Sequence, residues 1–132
     1  VASGSEDILI WTGKNFGKRI SNSFIEEGDD LSNQKKARKF FQKCLDCLEV
    51  FGFGSFDLNY NNEEVTISVD QSISTEINDK EDARVLCNLY KGIFLGMLSI
   101  RDLEIEGEEI ECILNGAKQC IYNYKFLKEE EV

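Results

Sequence analysis

Residues 109–124 read EIECILNGAKQCIYNY, and this stretch decides the fold. Apolar and polar residues alternate in its first part, Asn115 and Gly116 supply a turn signal, and β-branched and aromatic residues follow the turn. This pattern predicts a β-hairpin. If the loop has an odd number of residues centred on Gly116, Cys112 and Cys120 lie directly opposite each other, with Cβ atoms about 4.5–5.5 Å apart. Two cysteines that close can share a metal ion, form a disulfide or simply pack together.

Upstream of this hairpin, apolar residues at helical spacing predict three helices, at residues 6–24, about 33–51 and about 80–99. Ser5 is expected to cap the first helix and Asp79 the third. The apolar set of the first helix is Ile8, Trp11, Thr12, Phe16, Ile20 and Phe24. That of the second is Ala37, Phe40, Phe41, Cys44, Leu45, Leu48 and Phe51. The third has the widest set and is expected to be the most buried.

Two features of the helix surfaces carry further expectations. Gly13 and Gly17 leave one side of the first helix bare, which allows another backbone to come close, and Gly92 and Gly96 repeat the spacing in the third helix. The second helix has a basic side, which we interpret as a solvated surface rather than a binding patch: Lys35, Lys36, Arg38, Lys39 and Lys43.

Strands complete the predicted fold. Alternating residues predict strands at 55–60 and 64–69, joined by a turn at Asn61 and Asn62, and the last hairpin spans about 107–127. Two hairpins give a four-stranded antiparallel sheet, and the helices are expected to cover one side of it. The prediction is an α+β fold in a single domain over residues 1–132.

Composition excludes several classes of function. The net charge of −10 argues against binding to nucleic acid or to anionic membrane surfaces. The absence of His removes the usual catalytic triad, and no stretch approaches the roughly 20 apolar residues of a membrane span. Five cysteines, an odd number, indicate reduced thiols in the cytoplasm. Residues 1–4 contain neither Met nor a signal-peptide pattern, so we expect a processed product or a domain of a longer protein.

One set of residues has the composition of a metal site: Cys87, Glu109, Cys112 and Cys120. Zinc takes thiolates and an occasional carboxylate in a tetrahedron, and this set would join the third helix to the last hairpin. In a regular strand Glu109 and Cys112 point to opposite faces, so either Glu109 precedes the strand or a bulge intervenes. Glu108 and Glu111 are rival carboxylates, and simple packing of buried cysteines is the competing interpretation.

A second cysteine pair, Cys44 and Cys47, lies three residues apart on the second helix. A redox pair or half of a metal site is one interpretation. We favour a structural role, because Cys44 belongs to the apolar stripe and no strand precedes the pair as it does in a thioredoxin-like site.

The segment from Cys87 through Gly92 and Gly96 to Glu109-x-x-Cys112, with Cys120 and Tyr122, resembles the C-terminal signature of the 4-vinyl reductase domain. That family is similar in fold to subunits of the TRAPP transport complex and to the sensor domains of phenol-responsive transcription activators. The resemblance implies a four-stranded sheet covered by helices, a homodimer, and an interior pocket for a small apolar molecule near Leu86, Tyr90, Phe94 and Met97.

The resemblance also implies a structural zinc ion held by three cysteines and a glutamate, which fall here on Cys87, Glu109, Cys112 and Cys120. The phenol sensors use a pocket histidine for the polar part of phenol recognition. This chain has no His, so that part does not carry over. We expect a non-enzymatic ligand-binding regulatory domain with a zinc site. The alternatives are a scaffold like the transport-complex subunits and an accessory of tetrapyrrole vinyl reduction, although no Gly-rich cofactor loop is visible.

Overall fold

A computed structural model describes residues 2–70, 80–101, 103–111 and 120–127, with side chains for 8–70, 87–101, 103–107 and 120–127. The chain order is two helices, a hairpin, a helix, a short 3₁₀ turn and two further strands. The helices are α1 (Ala2–Phe24), α2 (Gln34–Val50) and α3 (Lys80–Leu98), and the turn is Ser99–Arg101. The strands are β1 (Ser55–Tyr60), β2 (Glu64–Asp70), β3 (Glu104–Glu111) and β4 (Cys120–Leu127).

The four strands form one antiparallel sheet in the order β1-β2-β4-β3, so the two hairpins join through β2 and β4. Asn61 turns the first hairpin, because its Oδ1 accepts the backbone N–H groups of Glu63 and Glu64, both at 2.8 Å. The predicted turn at Asn115 and Gly116, the loop before the third helix and its cap Asp79 lie outside the described residues. The predicted fold class is confirmed.

The sheet has one buried and one polar face. Along β2 and β4 every second side chain is buried under the helices, as the hydrophobic alternation of a one-sided sheet requires. The other face carries polar pairs such as Asn123, whose Nδ2 donates to Thr66 Oγ1 at 3.0 Å. Ligand chemistry inside the domain is therefore confined to the layer between the helices and the sheet.

The glycine faces of α1 and α3 meet. A Cβ on Gly13 or Gly17 would overlap the carbonyl oxygens of Leu89 or Ile93, and one on Gly92 or Gly96 would overlap those of Ile10 or Lys14. The two backbones lie too close for a side chain between them. The expectation that the bare side of α1 faces another backbone is confirmed.

Three sequence expectations about the helices are wrong. Because α1 turns its glycines inward, three of its large apolar residues point away: Ile8 and Trp11 are 64% and 67% exposed, and Phe16 is exposed as well. Ile20 of the same set is buried, as expected. Phe51 lies outside the apolar stripe of α2, since it is the C-cap residue and is 67% exposed. Ser5 does not cap α1, because the helix begins at Ala2.

Both ends of α2 have defined caps. Asn33 is the N-cap, and its Oδ1 accepts the N–H of Lys36 at 3.1 Å. At the other end Gly52, with φ +88°, and Phe53 donate to the carbonyls of Glu49 and Leu48, respectively, which is the Schellman pattern that favours glycine.

Among the helices that the structure describes, none combines the length and the hydropathy that a membrane span requires.

Candidate metal and ligand site

Three tyrosine hydroxyls fix α3 over the sheet. Tyr122 donates to the carbonyl of Cys87 at 3.3 Å, and Tyr124 donates to that of Lys91 at 2.9 Å. Tyr90 donates in the other direction, from α3 to the carbonyl of Phe53, at 2.8 Å. These bonds satisfy hydroxyls that would otherwise be costly to bury. The first two bonds hold the middle of α3 over β4, and the third joins α3 to the segment before β1.

Aromatic rings fill the layer between α3 and the sheet. The fully buried ring of Phe94 is at the centre of this aromatic cluster. Its centroid lies 5.3 Å from that of Tyr122, 5.8 Å from Phe56, 6.3 Å from Tyr90 and 6.5 Å from Tyr124. Most of these pairs meet edge to face, the geometry that aromatic quadrupoles favour.

Two of the four residues predicted to line an apolar pocket, Tyr90 and Phe94, meet in this cluster, and Met97 belongs to the same hydrophobic core. Tyr90, Phe94 and Met97 are buried in the core, whereas the side chain of Leu86 lies outside the described residues. The same residues therefore serve as core, and a ligand in this layer would lie against the rings. Pocket and core have the same composition, which is why the sequence could not separate them.

The cysteines of the predicted metal site lie on the two facing layers. Cys87 on α3 and Cys120 on β4 are both buried, and Cys120 lies two residues from Tyr122 on the helix-covered face. Glu109 pairs with Tyr122 through its backbone in β3. The side chain of Glu109 and all of Cys112 lie outside the described residues, and within the described ones no three His, Cys, Asp or Glu side chains could hold a metal ion.

A register shift interrupts β3 between Glu109 and Glu111, which is one of the two alternatives that the sequence left open. Glu109 pairs with Tyr122, but Glu111 pairs with Ile121, so β3 has one extra residue between these positions. A β-bulge of this kind changes which residues share a face of the strand. The sequence could state that Glu109 either precedes the strand or is followed by a bulge, but not which; Glu109 lies within β3, and the bulge follows it.

Cys44 and Cys47 on α2 do not form a disulfide. Cys44 is fully buried, and burial raises the pKa of its thiol to about 12, although a hydrogen bond with Ser21 acts in the opposite direction. Ser21 is itself buried, and its Oγ donates to the carbonyl of Met97 at 2.8 Å. These contacts support the structural interpretation of Cys44, because a thiol that keeps its proton is neither a nucleophile nor a metal ligand.

Cys44 is expected to resist alkylation in the folded protein. With a pKa of about 12, only about 10⁻⁴ of the thiol is ionised at pH 8. Iodoacetamide treatment followed by peptide mass spectrometry should label the half-buried Cys47 in the native chain and Cys44 only in urea. Because the unfolded thiol releases its proton near pH 9 and the folded one near pH 12, stability should also fall across this window. Equal labelling rates for the two cysteines in the native protein would contradict the burial of Cys44.

A groove of about 340 Å³ lies apart from the aromatic cluster, between the end of α1, the loop that follows it and α2. Its lining includes Phe24, Leu31 and Phe40 together with Lys36, Lys39 and Lys43. The sequence assigned these lysines to a solvated surface. It could not show that the loop folds back to form a wall opposite them.

Comparison with known proteins gives the family. The sequence model of the family Methanogen output domain 1 matches residues 5–125. The chain belongs to this family. The family differs from the one named on the resemblance of the cysteine and glycine pattern, whereas the related fold expected from that resemblance is confirmed. No curated protein sequence matches this output domain.

Solved structures of the same fold include proteins with bound small molecules. The output domain is similar to a trafficking protein particle complex subunit 3 from Naegleria fowleri, solved covalently bound to palmitic acid, with 17% identity over 96% of this chain and 82% of that chain and a TM-score of 0.67. It is similar to a vinyl-4-reductase family protein from Methanocaldococcus jannaschii, with 19% identity, 91% and 68% coverage and a TM-score of 0.56.

The third comparison is with a sensor. The phenol-responsive sensory domain of the transcription activator PoxR, solved with phenol, is 15% identical, with 92% of this chain and 64% of that chain covered and a TM-score of 0.65. At these identities the similarity establishes a shared fold. The output domain therefore shares its fold with this sensory domain and with the two proteins above.

Proposed function

We propose that this output domain is a non-enzymatic regulatory module that binds one small hydrophobic molecule and one structural zinc ion. The zinc ligands would be Cys87, Glu109, Cys112 and Cys120, which extends to this chain the 4-vinyl reductase pattern noted in its sequence. The ion would neutralise the thiolates and join α3 to the last hairpin.

The register shift in β3 is the observation that carries the zinc proposal. Glu109 pairs with Tyr122 on the helix-covered face of β4, and Glu111 pairs with Ile121. If the second register continues by one residue, Cys112 pairs with Cys120. Cross-strand partners share a face of a sheet, so the bulge would give Glu109 and Cys112 the same face as the buried Cys120. The donor set suits zinc in its chemistry, and this register would bring its three hairpin members to one face of the sheet.

The fold and the aromatic cluster support the ligand proposal. Two proteins of this fold were solved with a small molecule, palmitic acid in one and phenol in the other. Here Tyr90 and Phe94 offer an apolar surface between α3 and the sheet, and Met97 belongs to the same hydrophobic core. A ligand held there would regulate the domain only if it favours one position of α3 over another, because differential affinity is what shifts a population.

Native mass spectrometry tests ligand binding. We expect the protein purified from cells to carry a small-molecule adduct that is lost on denaturation, because an aromatic layer with this fold should retain an apolar ligand through purification. A bare chain mass under gentle conditions would contradict the proposal. If an adduct is found, extraction of the native protein with organic solvent would identify the ligand.

A scaffold role is the second candidate, and two observations favour it. The rings around Phe94 pack closely enough to act as a filled core, and Trp11, Val50 and Phe51 present large apolar surface to solvent. A protein partner or a second copy of the chain would cover such residues. A chain without an adduct that purifies with a stable protein partner would support this role, and a homodimer with an adduct would support the first.

A further inference from the structure

The groove between α1 and α2 has an apolar base and a cationic wall. Phe24, at the end of α1, and Leu31, in the loop that follows, are half-buried, and Phe40 of α2 is buried. The wall is one side of α2, where the spacing of three, four and seven residues places side chains on a common face: Lys36, Lys39 and Lys43. The volume of about 340 Å³ lies at the lower end of the range of small-molecule sites, about 300–1,000 Å³.

The lysines are available to an anion. None of Lys36, Lys39 and Lys43 forms an ion pair with a carboxylate in the part of the chain that the structure describes. Lys43 Nζ lies 5.2 Å from the ring centroid of Phe24, so the charge stands directly over the apolar base. The three lysines form one wall of the groove, and three acidic residues belong to its other wall: Glu26, Asp29 and Asp30.

The carboxylates of the opposite wall are mostly engaged in folding the loop. Asp29 Oδ2 accepts the N–H of Glu26 at 2.8 Å, and Asp30 Oδ1 accepts the N–H of Ser32 at 3.0 Å. Hydrogen bonds from Ser32 are the largest cause of the lowered pKa of Asp30, and attraction to Lys36 is a smaller one. Of the three lysines, Lys36 is therefore the one that attracts Asp30, which leaves Lys39 and Lys43 as the cations for an anionic ligand.

We propose that this groove is a binding site for a small amphiphilic carboxylate, with its hydrocarbon body on Phe24, Leu31 and Phe40 and its carboxylate at Lys39 and Lys43. Charge complementarity selects an anion, and the apolar base selects a hydrocarbon body over a purely polar anion. The site is separate from the aromatic cluster under α3 and does not depend on a ligand or a metal there.

Titration calorimetry with decanoate tests the site, with decanol and decyltrimethylammonium as neutral and cationic probes of the same chain length. We expect saturable binding of decanoate alone, weakened by added salt because the attraction is between exposed charges. The double variant Lys39→Gln, Lys43→Gln should weaken binding by about tenfold or more. Leu31→Asp, which places a negative charge on the apolar base, should abolish it.

Lys35→Gln is the matched control, because Lys35 lies on the same helix outside the groove lining. It should change the decanoate affinity by no more than about twofold. Backbone amide shifts in NMR spectra should change around residues 24–43. Equal binding of decanol and decanoate, an unchanged affinity in the double variant, shift changes confined to the α3 and β4 residues, or no saturable binding would each overturn the proposal.

Discussion

Gly17→Ala is expected to destabilise the protein by about 3 kcal/mol, at the upper end of the usual cost of overpacking. A Cβ at this position would overlap the carbonyl oxygen of Ile93 and lie 2.8 Å from the amide nitrogen of Met97. Both atoms belong to the backbone of α3, so no side chain can rotate away. The two helices must separate, and Ser21 would then lose its hydrogen bond to the carbonyl of Met97.

The sign of this effect separates packing from helix propensity. Alanine is intrinsically better than glycine in a helix by about 1 kcal/mol, so an open site would gain stability from the change. Urea denaturation of Gly17→Ala should instead show a large loss. Lys18→Ala, at the next and exposed position of the same helix, is the control and should stay within about 0.5 kcal/mol of the parent. A Gly17→Ala variant as stable as the parent would contradict the close contact of α1 and α3.

Cys120→Ser is expected to remove the zinc ion and to lower the melting temperature by about 10 °C or more, because metal binding to such a site contributes directly to folding. Cys120 is buried on the face of β4 that meets α3, next to Tyr122. Cys87→Ser, which changes the predicted zinc ligand on α3, should have the same effect. Metal analysis should find about one zinc per chain in the parent and below about a tenth in each variant.

A chelator separates loss of zinc from loss of packing. A buried serine hydroxyl alone costs about 1–3 kcal/mol when it lacks a partner, so a lower melting temperature is not decisive. A strong chelator should lower the melting temperature of the parent and leave that of Cys120→Ser unchanged. Cys47→Ser, a half-buried position on α2, should keep both its zinc and its response to the chelator. A parent without such a response would exclude a structural metal.

Local signals in the sequence were sufficient for the fold. The strand limits of the first hairpin followed from alternation and from Asn61, whose side chain closes the turn as a short polar residue can. The four-residue spacing of Gly13 and Gly17 indicated a face without side chains, and that face meets α3. The strand limits, the turn and the glycine face each depend on residues close together in the sequence, so periodicity and turn chemistry can predict them.

Features that depend on distant contacts could not be predicted. Helical spacing grouped Ile8 with Trp11 but could not show that glycines, not these side chains, would face the core. The bulge near Glu109 belongs to the pairing of two strands, and no local pattern encodes it. The groove beside Lys39 exists because the loop after α1 folds against α2, which gives a solvated lysine an apolar neighbour.

The claim that one zinc ion joins α3 to the last hairpin is tested most directly by X-ray absorption at the zinc edge, on protein purified without added metal. The account predicts about one zinc per chain with about three sulfur ligands and one oxygen ligand, from Cys87, Cys112, Cys120 and Glu109. A metal-free protein, or zinc surrounded mainly by oxygen and nitrogen, would contradict it.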